Sequence, residues 1–267
     1  MIKKAKTEPS PSGSYGKMNL EEFFKEYPKV AIAFSGGCDS AYLTYAALKY
    51  AKDVKAYYVK TAFQPEFEYE DALKFAKEHA LNLSVIECGI LSVKEVTDNP
   101  FNRCYFCKNQ IFGKIISEAK KDGYKTILDG TNASDDATDR PGMKALEEMN
   151  VISPLRLCGR TKSEIRTLSR EAGLFTWNKP AYACLATRVP EGEKITEEIL
   201  YKTEKAEKYL ASLGLENFRV RYRDGDALIQ ISEGQQDLYE RCKEKIEAEL
   251  KRYYVNLKLD EKLRDKI

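Results

Sequence analysis

KVAIAFSGGCDS, residues 29–40, decides how this chain is read. Val30 to Phe34 is a short apolar run of the kind that forms a buried strand. It stops at Ser35-Gly36-Gly37, and a helical pattern begins near Asp39. A strand, a turn of small residues and a helix start make an anion site. The turn's N–H groups and the helix N-terminus point the same way, and glycine lets the backbone approach the anion closely. The stretch is neither GxxxxGK[ST] nor GxGxxG. A bare Gly-Gly turn would read as a plain tight turn, but SGGxDS directly after an apolar strand points to a nucleotide phosphate.

Outward from this stretch, strand and helix patterns alternate. Residues 39–51 are helical by spacing, Val54–Val59 is a strand, Glu66–Ala80 a helix and Leu83–Cys88 a strand. Arg103–Lys121 is a long helix, and Thr126–Leu128 a strand that runs into Asp129-Gly130-Thr131-Asn132. Val151–Leu155 reads as a fifth strand, and Thr161–Ala172 as a helix opened by Thr161 with Glu164 three residues on. The alternation predicts an α/β fold with a doubly wound parallel sheet, whose ligands sit beyond the carboxyl ends of the strands. After Gly192 the pattern changes to helix (Ile195–Leu213), hairpin (Phe218–Tyr222 and Ala227–Ile231 around Asp224-Gly225), helix (Gln235–Leu250) and strand (Tyr253–Leu259). A boundary near residue 192 therefore separates a smaller C-terminal α+β domain. Residues 1–18 are polar and rich in Ser, Pro and Gly, and are expected to form a flexible arm.

The 267 residues carry 44 Lys and Arg against 42 Asp and Glu, a balance that gives no whole-protein case for a nucleic-acid partner. No apolar run is long enough for a membrane span, and the N-terminus lacks the apolar core of a signal peptide. Seven cysteines, an odd number in a chain of this size, argue against a disulfide framework and for a reducing, cytoplasmic setting. The single histidine, His79, rules out a His-rich metal site.

Three constellations stand out. Cys104-x-x-Cys107 suits redox partners, metal ligands or cluster ligands, or is two helix cysteines with no shared role. There is no second CxxC for a four-thiolate zinc site, but a third cysteine, Cys184, would allow an iron–sulfur cluster with one open iron. Cys184 itself has Lys179 five residues before and Arg188 four after, cations that would lower a thiol pKa, although free cysteine is often a small buried hydrophobe. Arg219, Arg221 and Arg223 share one face of a strand and suit phosphate or carboxylate, or form a solvated outer face; Glu207 on the preceding helix is placed to orient one of them. The acidic loop 130–142 is a solvated connection or a nucleotide or Mg²⁺ contact through Asn132, Asp135 or Asp136.

SGGCDS resembles the PP-loop of the ATP pyrophosphatase superfamily, the adenine-nucleotide α-hydrolase type of fold. SGGCDS, RCYFCK, LDGTNASDD, the block KSEIRTLSREAGLFTWNKPAYACLATRVPEG and FRVRYRDGD, in that order, are together similar to the LarE-like sulfurtransferases from about residue 20 onward. The long block around Cys184 is the most specific part. The resemblance implies residues 19–192 as the PP-loop domain and 193–267 as a unit for substrate binding or oligomerisation. It implies ATP-dependent adenylation of a carboxylate on pyridinium-3,5-biscarboxylic acid mononucleotide, then thiolation, in nickel-pincer-nucleotide synthesis. Ser35, Gly36, Gly37, Asp39, Ser40, Asn132 and Asp135 would hold ATP, with Mg²⁺ neutralising charge. Arg219 and Arg221 would hold the substrate, and Arg188 would stabilise the acyl-adenylate. Sulfur would come from Cys184, or from a [4Fe–4S] cluster on Cys104, Cys107 and Cys184. The family motif usually reads SGGVDS; Cys38 stands in place of that valine and is expected to be packing. A homo-oligomer with a small-molecule nucleotide substrate is expected. The alternative is a PP-loop tRNA thiolation enzyme with a CxxC-plus-Cys cluster, and, from another class, a non-catalytic adenine-nucleotide-binding module.

Overall fold

The computed structural model describes residues 18–135 and 141–264. The expected arm and Asp136 fall, wholly or nearly so, outside those residues. In chain order the elements are α1 (Leu20–Glu26), β1 (Lys29–Ala33), α2 (Cys38–Tyr50), β2 (Asp53–Lys60), α3 (Glu66–Glu78), β3 (Leu83–Glu87), α4 (Lys94–Thr97), α5 (Arg103–Lys121) and β4 (Ile127–Leu128). They continue with α6 (Pro141–Glu148), α7 (Pro154–Leu157), α8 (Lys162–Glu171), α9 (Glu197–Ser212), β5 (Arg219–Arg223), β6 (Asp226–Gln230), α10 (Gln236–Leu250) and β7 (Leu257–Leu259).

β3-β2-β1-β4 form a parallel sheet with β1 inside it. Alternate residues of β1 serve opposite faces, as strand geometry requires. Val30 and Ile32 pack with α1, α2 and α8, while Ala31 packs with Phe112, Ile115 and Ala119 of α5. The same alternation sends Tyr57 toward α5 and Tyr58 toward Ala72 and Phe75 of α3. Helices therefore cover both faces, the doubly wound α/β arrangement of PP-loop enzymes. The chain leaves β1 toward β2 on one side and returns to β4 on the other, so the switch point lies at the carboxyl ends of β1 and β4.

The fifth strand expected at Val151–Leu155 shrinks to a single parallel bridge, Leu128 with Ile152. Pro154 has no N–H for a ladder and suits a first helical position, so α7 begins there instead.

A second, smaller sheet has β5 and β6 antiparallel around Asp224-Gly225 and β7 parallel to β6. With α9 and α10 it encloses its own core of Leu210, Val220, Ile229, Ile246 and Leu250. Among the described residues no helix is long and apolar enough to cross a membrane.

Candidate active site

β1 delivers Ser35-Gly36-Gly37 to the start of α2. Gly36 adopts φ +74°, and a Cβ there would lie 3.1 Å from the carbonyl oxygen of Glu68 and 3.3 Å from Ala72 Cβ, so the turn needs glycine to fit against α3. Ser40 Oγ donates to the Gly37 carbonyl (3.1 Å) and lies 3.0 Å from Ser35 Oγ, which fixes the turn's shape. Gly130, just past β4, is the tightest approach: a Cβ there would sit 2.9 Å from Ser40 N. DGTN is thereby pressed against the first turn of α2.

Between them lies a cavity of about 350 Å³ at the switch point. Ser35, Gly37, Asp39, Ser40, Asp129 and Thr131 give it a polar end, and Tyr57, Val59, Ile111, Phe112 and Ile115 an apolar wall. Polar floor and apolar wall suit a nucleotide. One carboxylate oxygen of Asp39 accepts from Lys162 Nζ at 2.6 Å; the other is buried without a hydrogen-bond partner. A buried, unsatisfied carboxylate oxygen in such a cavity fits a hard divalent cation. Asp135 also lines the cavity, and its side chain accepts from Asn132 N. Asn132 is buried and its Oδ1 accepts from Ser134 N, so it holds the turn.

The Cys184 loop docks over the same edge of the sheet. Lys179 Nζ donates to the Gly36 carbonyl at 3.2 Å and pairs with Asp71 at 2.6 Å. Leu185 N donates to the Phe63 carbonyl at 2.8 Å. Cys184 ends up among Phe63, Ile90, Val96, Leu185 and Cys107. Burial pushes its thiol pKa up, although Arg103 and Arg188 pull it down. The expected activation by Lys179 and Arg188 is thus corrected: desolvation outweighs the cations, and Lys179 is committed to Asp71 and Gly36.

Arg188 is fully buried and fully engaged. Its Nε and Nη2 donate to Glu207 at 2.8 and 3.0 Å, and its Nη1 donates to the Ala183 and Cys184 carbonyls and to Thr187 Oγ1. Glu207 also accepts from Val220 N and from Tyr182 Oη. The acid expected to orient a strand arginine therefore holds Arg188, and the pair ties the Cys184 loop to α9 and β5. Arg219 donates to the Ala181 carbonyl and Arg221 to the Thr187 carbonyl, so β5 grips the same loop. Burial, then Arg188, brings Arg219 down to about 10; burial, Arg188 and Arg223 lower Arg221. Two guanidiniums lie over the Tyr182 ring, Arg188 at 4.7 Å and Arg219 at 4.9 Å from its centre.

Cys104 and Cys107 open α5. Cys104 is exposed; the Cys107 thiol is pushed up to about 12, by burial first and then by Cys184 and Cys104. Cys107 and Cys184 pack against one apolar cluster, and Cys104 stands one turn before Cys107 on α5. Their donor chemistry suits a three-thiolate site, yet among the described residues no three His, Cys, Asp or Glu side chains come close enough together to hold a metal ion.

Sequence reasoning passed over Arg103, whose guanidinium donates to the Ala186 carbonyl and faces the thiols, although it stands inside the RCYFCK motif. It also passed over Lys162 and Lys108, which close on Asp39 and the cavity, although they stand at the ends of the KSEIRTLSREAG block and of RCYFCK. Cys38 is buried and sits 3.8 Å from Ser169 Oγ and 4.0 Å from the Trp177 carbonyl, in the apolar cluster of α1, α2 and α8.

No family model matches the chain. An uncharacterized protein of Synechocystis is 36% identical over 80% of each chain. Pyridinium-3,5-bisthiocarboxylic acid mononucleotide synthase of Lactiplantibacillus plantarum is 31% identical over 81% of this chain and 79% of its own. A more distant tRNA-specific 2-thiouridylase, MnmA, of a Thermotoga species is 24% identical over 57% of this chain and 54% of its own. With the phosphate turn, the docked Cys184 loop and the arginine strand in place, the chain belongs to the LarE-like family of PP-loop sulfurtransferases, that of pyridinium-3,5-bisthiocarboxylic acid mononucleotide synthase.

Proposed function

We propose that this enzyme thiolates pyridinium-3,5-biscarboxylic acid mononucleotide in an ATP-dependent reaction, with the sulfur passing through Cys184. The observation that carries the reading is the Lys179–Gly36 hydrogen bond, which seats the cysteine loop on the phosphate turn. A carboxylate is a poor electrophile because its leaving group would be oxide. Its oxygen attacks the α-phosphorus of ATP, the bond to the β-phosphate breaks, and pyrophosphate leaves. The Cys184 sulfur, once its proton is lost, attacks the acyl carbon of the adenylate, and AMP leaves with the electron pair. A thioester to Cys184 results.

Ser35, Gly36, Gly37 and Ser40 cradle the phosphates, and Asp39 would hold Mg²⁺, which neutralises phosphate charge. Arg219 and Arg221 bind the anionic groups of the nucleotide substrate. Arg188 and Glu207 position the loop. The unit of residues 193–267 supplies the arginine strand, and that of 19–192 the ATP cavity.

The transferred sulfur has two candidate sources, and the thioester belongs to the first. If a base removes the Cα hydrogen of Cys184 and the Cβ–S bond breaks, thiocarboxylate leaves and dehydroalanine remains. The second source would be a [4Fe–4S] cluster, for which Cys104, Cys107 and Cys184 offer the thiol donors, although among the described residues they are not gathered closely enough to hold a metal ion. Intact mass after turnover separates them: a loss of one H₂S, about 34 Da, marks the sacrificial route, and product without loss marks the cluster. The tRNA-thiolation alternative has less support, since the Thermotoga MnmA is only 24% identical over 57% of this chain, against 31% over 81% for the mononucleotide synthase.

The proposal is tested with the purified full chain, ATP and the dicarboxylate mononucleotide. Thiocarboxylate, AMP and pyrophosphate should form together; absence of AMP and pyrophosphate would refute adenylation.

A further inference from the structure

Gln64 has no part in the chemistry above, yet it lines the ATP cavity. It stands in the short connection between β2 and α3, one residue before the Pro65 that caps α3. Its side-chain Oε1 accepts from Thr61 N at 3.1 Å and from Thr61 Oγ1 at 2.6 Å. Thr61 Oγ1 in turn accepts from Phe63 N at 3.0 Å. Phe63 is buried, and its carbonyl accepts from Leu185 N of the Cys184 loop. The connection is thus held from both sides. A backbone N–H can only donate, so the Gln64 amide has one orientation, its oxygen toward Thr61 and its nitrogen away. Both lone pairs of Oε1 are taken, and among the described residues Nε2 has no hydrogen-bond partner. Gln64 therefore offers the cavity donors and no acceptor.

Phosphate belongs at the other end. Ser35, Ser40, Asp129 and Thr131 lie past β1 and β4, whereas Gln64 lies past β2, on the opposite side of β1 from β4. Adjacent strands are about 4.8 Å apart, so a nucleotide with its phosphates on the turn is long enough to bring its base to β2. The part of a purine farthest from the ribose is the six-membered ring. In adenine its N1 is a bare acceptor; in guanine and hypoxanthine N1 carries a hydrogen. A side chain that only donates pairs with the first and opposes the other two. The surrounding wall makes no such choice. Val59, Ile111, Phe112 and Ile115 are apolar, and Tyr57 Oη is given to Asp122. The Tyr58 hydroxyl is buried without a partner but can donate or accept, so it suits either base.

We propose that Gln64 reads the base of the nucleotide, donating from Nε2 to adenine N1 and selecting ATP over inosine triphosphate (ITP) and guanosine triphosphate. The inference rests on the reading of the cavity as the ATP site and adds to it the group that recognises the base. Rejection follows from the same contact: a wrong base leaves two donors facing each other, which costs more than the lost bond alone.

Calorimetric titration of the full chain with Mg²⁺ present compares ATP, ITP and 1-deaza-ATP, in which a C–H replaces N1. The wild type should bind ATP about tenfold tighter than either analogue. Q64L has no donor, so its preference for ATP over 1-deaza-ATP should disappear. Q64E keeps an acceptor for Thr61, and so keeps the connection, but turns an acceptor toward the base. Its preference for ATP over ITP should fall by about tenfold, because ITP can then donate from N1–H. A role confined to the connection would weaken all three nucleotides together in Q64L and leave their ratios at wild-type values, which would overturn the proposal. So would a wild type that binds ATP and 1-deaza-ATP alike. Binding of no nucleotide would overturn the reading of the cavity as well, whereas ATP bound with wild-type ratios in both variants removes Gln64 alone.

Discussion

Lys179 Nζ donates to the carbonyl oxygen of Gly36 across 3.2 Å, joining the segment that carries Cys184 to the turn built for phosphate. The same ammonium is pinned by Asp71 at 2.6 Å, so its position is fixed from α3 as well. The loop therefore cannot shift without disturbing the turn.

Replacing Lys179 with Met should cut this tie while leaving the phosphate cradle intact. Thiocarboxylate formation should fall by about tenfold to a hundredfold, the scale on which small misplacements act, with a smaller effect on pyrophosphate release. Parallel assays of the two products check it; an equal loss in both would place Lys179 in the ATP step.

The Arg188–Glu207 pair should behave as a buried ion pair whose broken form is costly. Arg188→Met or Glu207→Gln should each destabilise by about 3–5 kcal/mol, because either leaves its partner's charge unpaired. The double variant Arg188→Met/Glu207→Gln should cost less than the sum of the singles. Denaturant melts of the four proteins test this, and simple additivity would contradict it.

Gly130 tolerates no side chain. A Cβ 2.9 Å from Ser40 N must push DGTN away from α2. Gly130→Ala should weaken ATP binding about tenfold or more and cost about 1–3 kcal/mol in stability. Nucleotide titration with a parallel melt reads both.

Thiol reactivity should follow burial. Cys104 is exposed, whereas Cys107 is pushed up to about 12 and Cys184 is pushed up by burial. The thiolate is the reactive form, so iodoacetamide at pH 8 should label Cys104 ahead of both. For Cys107, whose folded pKa lies above its unfolded value, the associated stability is intact below about pH 9 and lost as pH rises toward 12. Peptide mapping over time gives the order of labelling.

Much of this architecture is legible in local pattern. The apolar run into Ser35-Gly36-Gly37 marks β1 and the turn, and Thr161 with Glu164 forms the capping box that opens α8. Arg103–Lys121 has the same bounds in sequence and structure. The fifth strand fails because Pro154 outweighs the apolar run before it. What local pattern does not carry is partnership. Nothing near Glu207 in the sequence says that it holds Arg188 rather than an arginine of β5, since α9 and the Cys184 loop meet only in the folded chain. The cations beside Cys184 mislead for the same reason: a spacing of four or five residues cannot report how deeply the thiol is desolvated.

The central claim is that Cys184 carries sulfur to a carboxylate that ATP has activated. Its most direct test is a single-turnover comparison of the wild type and Cys184→Ala, following pyrophosphate and thiocarboxylate by liquid chromatography and mass spectrometry. The variant should still release pyrophosphate and should form no thiocarboxylate. Thiocarboxylate made by Cys184→Ala at the wild-type rate would contradict the account.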